Sequence, residues 1–267
     1  MSLELSYQKI LHEALREGGE FADLYFEQTR SIVIVCEEDR IEKVISGLDL
    51  GVGLRVLFGG KTIYSFTNQI AEEALIDLAW KINRIVKENG EERVINFTHP
   101  SRASRSNPLI GKSSFQIERN PKDIPIGEKV SLVKRANDVA RRIDPHVRQV
   151  KVLYRDVSQI LSIANSEGIL GEGERVGTVF SVQVVSAKGD VIQTGYEPVG
   201  GTMGFELFDL CPPEGVSEVA TRRSLLMLSA KKAPMGRMSV VLSSEAGGTM
   251  IHEAIGHGLE ADLAQQG

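Results

Sequence analysis

The chain has 267 residues, a formal net charge of -5 and 42% hydrophobic residues. That length suffices for one large or two modest domains, and the acidic balance argues against a nucleic-acid partner, which needs a basic face towards phosphate. No stretch of about 18 apolar residues is present, so no membrane-spanning helix is expected. The start, Met1-Ser-Leu-Glu4 followed by an amphipathic pattern, does not read as a secretory signal. The expectation is a cytoplasmic chain without a membrane or direct nucleic-acid partner.

Residues 4–17 predict a helix with Tyr7, Ile10, Leu11, Ala14 and Leu15 on one face, ended by Gly18-Gly19. Strand-like runs follow at 24–29, 32–36, 41–45, 52–58 and 62–66, with Gly59-Gly60 as a hairpin turn. Ile70, Ala74, Leu75, Leu78, Ile82, Ile85 and Val86 mark an amphipathic helix. Prolines at 100, 108, 121 and 125 around a polar run predict a linker or loop over 98–125.

A second set repeats the plan. Val130, Val133, Ala136, Ala140 and Ile143 predict a helix ended by Asp144-Pro145. Strands are expected at 149–156, 158–164, 175–186 and 190–196, with a turn at 187–189 and a helix over 215–230. A short strand at 239–243 then leads into a helix beginning near Gly247 or Gly248. The fold class read from this order is α+β: two helix–antiparallel-meander–helix units, then a strand and a helix that open an incomplete third domain. The expected divisions are 1–97, 98–125, 126–232 and 233–267. Basic clusters at Lys134, Arg135, Arg141, Arg142 and at Arg222, Arg223, Lys231, Lys232 read as solvated helix faces. His12, His99 and His146 have no motif around them, and Cys36 reads as a small buried group in a strand.

The last helix carries the chemistry: His252-Glu253-Ala-Ile-Gly-His257. Histidines at i and i+4 lie about 40° apart around a helix, whereas i and i+5 diverge by about 140°. Both can reach one metal only if the helix widens into a π-type turn. Gly256 and Gly258 could relax the backbone there or admit a close neighbour. Neutral imidazoles leave zinc a strong Lewis acid, and Glu253 is placed to act as general base. Glu260, three residues after His257, could orient that imidazole, act as a ligand, or be a surface carboxylate. Ile251, Ile255, Leu259 and Leu263 form an apolar stripe that needs a cover.

The segment from Met238 to Asp262 resembles the core of the TldD/PmbA family of zinc metallopeptidases, as do Gly51-Val-Gly-Leu-Arg-Val56, Ile163-Ala-Asn-Ser-Glu-Gly168 and Gly204-Phe-Glu206. The histidine motif points to the TldD-like catalytic branch. The resemblance implies metal-ligand roles for His252 and His257, a general-base role for Glu253, a Zn²⁺ cofactor, and peptide or unfolded-polypeptide substrates. It also implies a dimer with a family partner subunit, and a cysteine third ligand in a C-terminal half; on that reading the chain is an N-terminal portion and inactive by itself. Cys36 and Cys211 are minor alternatives for the third ligand. Other readings of the chain are a catalytically incomplete fragment serving peptide binding or dimerisation, and an enzyme resembling dipeptidyl peptidase III, whose H-E-x-x-G-H signature the motif also matches.

Overall fold

The computed structural model describes residues 7–89 and 117–266 and divides into two compact units, Met1–Ser229 and Ala230–Gly267. The first holds α1 (Tyr7–Leu15), β1 (Phe21–Glu37), β2 (Arg40–Phe58), β3 (Lys61–Thr67) and α2 (Glu72–Asn89). It continues with α3 (Ile126–Ile143), β4 (Val147–Asn165), β5 (Leu170–Lys188), β6 (Val191–Gly201), α4 (Leu207–Leu210) and α5 (Pro213–Met227). The α+β class and the repeated helix–meander–helix plan are those expected. What the sequence pattern did not show is that both meanders share one antiparallel sheet in the order β3-β2-β1-β4-β5-β6, joined by β1–β4 pairing from Asp23↔Asn165 to Glu37↔Lys151.

The strands are also longer than predicted. Runs 24–29 and 32–36 are one strand, as are 41–45 with 52–58, and 149–156 with 158–164. The cause lies in the packing. Buried positions on β1 are 22, 24, 26, 34 and 36, all of one parity, so they face one side of the sheet. On that side α1 and α2 cover one end, over Leu24, Leu54 and Val56, while α3 and α5 cover the other, over Ile34, Val152 and Phe180. β1, β2 and β4 each cross from one core to the other. Between the cores they need no apolar side chains, and the polar middles (Thr29-Arg-Ser31, Ser158-Gln159) resemble breaks.

Turns follow local chemistry. Gly59 and Gly60 have φ of +54° and +72°, the left-handed pair that a two-residue hairpin demands. Glu38 and Asp39 adopt φ of +49° and +63° between β1 and β2 without being glycine; Asn137 Nδ2 on α3 donates to Asp39 at 2.9 Å and ties this tip to the helix. α5 lies directly on β6 at Gly195, where a Cβ would meet Ala220 O at 2.0 Å.

The linker expectation for 98–116 falls outside the described residues; 121–123 form a 3-10 turn capped by Asn120. Just before it, Arg119 N donates to Glu206 at 3.0 Å and Gly204 N donates to the same carboxylate at 2.7 Å. Burial alone would raise the Glu206 pKa, but these backbone donors outweigh it and hold it below the ordinary value. The carboxylate therefore stabilises the fold above an unfolded pKa of about 4.3, and the contribution is lost as pH falls through the lower folded value. Glu206→Gln is expected to cost about 1–3 kcal/mol at pH 7 and progressively less in acid, read from urea midpoints across pH.

The core also contains charge. Lys129 on α3 and Asp156 on β4 are buried and paired, Nζ to Oδ2, at 2.6 Å. The Tyr154 hydroxyl donates to the same oxygen at 2.7 Å, and its ring lies 5.5 Å from the ammonium. Burial, then that hydrogen bond, raises the Tyr154 pKa, so the phenol stays protonated. Opposite Asp156 in register is Thr178, whose buried Oγ1 has no hydrogen-bond partner among the described residues. Thr178→Val should be neutral or stabilising by up to about 1 kcal/mol, measured by chemical unfolding.

The second unit departs from expectation. Residues 239–243 form no strand; Val240 and Val241 are exposed. A lone extended segment gains nothing from strand geometry unless a neighbour accepts its hydrogen bonds, and none pairs with it among the described residues. The helix starts earlier, with α6 (Ser244–Ile251), passes through a π turn (His252–Gly256) and a 3-10 turn (His257–Leu259), breaks at Glu260, and resumes as α7 (Ala261–Gln266). Among the described residues no helix is long and apolar enough to cross a membrane.

Candidate metal centre

The π turn brings the motif side chains together. His257 N–H bonds to His252 C=O, closing i to i+5 and widening the helix by one residue. The divergence of about 140° expected on a regular helix is thereby reduced. The two imidazole rings stand edge to face, 4.7 Å between centroids and 74° between planes. His252, Glu253 and His257 each present a donor atom, and these atoms lie within 4.8 Å of one another on an exposed surface.

Gly256 is used for space. Its φ is -56°, open to any residue. A Cβ there would sit 3.3 Å from His252 Nδ1, closer than a side chain normally tolerates, so glycine leaves the ring its place. Gly258 has open space around it.

His257 is held on both sides. Its Nδ1 lies 2.5 Å from Glu260 Oε1, and its Nε2 is 3.6 Å from Glu253 Oε2. Glu260 reaches back because the helix breaks there, at ψ 143°, turning its carboxylate beside the ring. An Nδ1–H donated to Glu260 leaves the Nε2 lone pair available to a metal. Two imidazoles suit a borderline ion such as zinc.

The cysteines lie in the sheet unit. Cys36 is fully buried among Val152, Val182 and their neighbours, and burial raises its thiol pKa. Cys211 caps α4, half-buried against the same core. Both are free thiols. His146 bonds to Asp144 at 2.6 Å, a local contact at the entry to β4.

Two family models match: the PmbA/TldA metallopeptidase domain 1 over residues 22–85 and the PmbA/TldA metallopeptidase central domain over 119–228. The chain is 32% identical over 98% of its length to a metalloprotease of Methanocaldococcus jannaschii, covering 56% of that protein. It is 28% identical over 97% of its length to a zinc metalloprotease TldD homolog of Saccharolobus solfataricus, covering 54% of it. The fold superimposes on TldE from Thermococcus kodakarensis with a TM-score of 0.59, at 15% identity, over 82% of this chain and 47% of that one. These matches place the chain in the PmbA/TldD metallopeptidase family. It spans about half the length of the curated relatives it matches.

Proposed function

We propose that this chain supplies the metal-binding and catalytic helix of a zinc-dependent peptidase acting on peptides or unfolded polypeptides. The observation that carries the reading is the π turn, which gathers His252, Glu253 and His257 within 4.8 Å. His252 and His257 would hold the ion. Bound there, zinc would supply Lewis acidity to a water and to the scissile carbonyl.

Glu253 adjoins His252 and accepts the proton of the attacking water, then returns it to the leaving amine. Glu260 is a positioning residue that fixes the His257 ring through Nδ1. A cysteine third ligand, implied by the family resemblance, completes the set. The protein works in the cytoplasm beside a second family subunit.

Elemental analysis after equilibrium dialysis against zinc tests this. His252→Ala and His257→Ala should each weaken binding on the order of a hundredfold, as when one of a few ligands sharing roughly 10–16 kcal/mol is lost. Glu260→Gln should weaken it about 10–100-fold. Zinc retention equal to that of a double-histidine variant would end the reading.

A further inference from the structure

On the face of the sheet opposite the helices, β2 carries glycine at two successive outward positions. Gly51 lies opposite Glu27, and Gly53 between Tyr25 of β1 and Phe66 of β3. Side chains on one face recur every second residue, so these glycines lower the floor between the neighbouring strands: Gly53 makes room for the Tyr64 ring and Gly51 leaves its own position open. Tyr25 and Glu27 form one wall. Tyr64 and Phe66 form the other, their rings 6.3 Å apart and inclined by 28°. Tyr64 leans over the floor; a Cβ on Gly53 would meet its hydroxyl at 2.5 Å. The groove encloses about 610 Å³.

The lining of this groove is acidic. Glu27 and Asp49 line it, and among the described residues no lysine or arginine does, although the charge of Arg175 reaches Tyr25. The adjacent Arg55 is paired with Asp23. Glu27 is held ionised: Thr29 donates to one oxygen at 2.6 Å and Tyr25 to the other at 2.8 Å, which together lower its pKa. Burial, then the bond to Glu27, pushes the Tyr25 phenol up to about 12, so it remains a donor. Phe66 is 75% and Tyr64 61% exposed, so both rings are accessible to a ligand.

Aromatic faces beside a fixed carboxylate favour a cation with an apolar stem. We propose that the Gly51–Gly53 trough is a subsite for a basic side chain, lysine or arginine, of an extended polypeptide. The open floor at Gly51 admits the stem, Tyr64 and Phe66 face the cation, and Glu27 with Asp49 neutralises it. The inference rests on the reading that the substrates are polypeptides, and it adds a preference for positive charge.

The test uses acetyl-Ala-Ala-Lys-Ala-Ala-amide and its norleucine counterpart, titrated into the 267-residue chain and followed by backbone amide NMR. The lysine peptide should shift residues 49–53 and 64–67 saturably and bind about tenfold tighter than the norleucine peptide. Glu27→Gln and Phe66→Ala should each weaken it about fivefold or more. Gly51→Val should abolish it. The contact nearest a Cβ at Gly51 is an ordinary 3.6 Å from Thr67 O, and the exposed Phe66 provides a second probe should the valine perturb folding. Equal binding of the two peptides, undiminished binding in Glu27→Gln and Phe66→Ala, or no binding at millimolar concentration overturns the proposal. Binding should persist in His252→Ala, so failure at this groove and failure of the metal reading register separately.

Discussion

Asp156→Ala is expected to lower the stability of the sheet unit by about 3–5 kcal/mol, seen as a fall in urea midpoint with little change in slope. The reason is the partner left behind. Lys129 has no solvent exposure, and its ammonium meets Asp156 Oδ2 at 2.6 Å. Without that carboxylate the charge remains buried beside the Tyr154 ring, and the Tyr154 hydroxyl loses its acceptor as well. The sheet must then admit water or bear an uncompensated cation. Lys129→Met with Asp156→Leu removes both charges at similar volume and should restore most of the loss. If the double variant were as unstable as the single one, packing rather than stranded charge would be the cause.

Glu253→Gln in the zinc-loaded protein, joined to the C-terminal half that the family resemblance implies, is expected to reduce peptide hydrolysis by about 10²–10⁴-fold while leaving zinc content unchanged. Glutamine keeps the size and a hydrogen-bonding oxygen but cannot accept the proton. The position of Glu253 beside both histidines is what links it to the reaction. Hydrolysis by the variant at the wild-type rate would remove Glu253 from the base role. A joint fall in zinc and rate would instead indicate that its carboxylate helps to hold the ion.

The sequence was most legible where the physics is local. Gly59-Gly60 was readable because two consecutive left-handed residues tolerate little else. The i, i+5 spacing of His252 and His257 required a widened turn if the pair was to act together, and the chain has one. The strand at 239–243 failed because three apolar β-formers, Val240, Val241 and Leu242, say nothing about whether a neighbour exists to pair with them. Glu260 remained open among three roles because its reach depends on the backbone break at that residue. The glycine trough was hidden too. Gly51 and Gly53 are visible in the sequence, yet only the registers of β2 against β1 and β3 set Tyr25 and Phe66 on either side.

The β1–β4 seam has a kinetic consequence. Each meander pairs strands that are neighbours in the chain, so hairpins can close early and independently, whereas the seam joins segments separated by β2, β3, α2, residues 90–125 and α3. Contacts at such separation slow folding because their entropy must be lost before they return any energy. Yet that entropy grows only logarithmically, about 0.6 kcal/mol for each doubling of the intervening length. The rate-limiting step should therefore be alignment of β1 with β4, sensitive to residues such as Phe26 and Ser162 that meet across it and nearly indifferent to extra residues inserted between the two meanders.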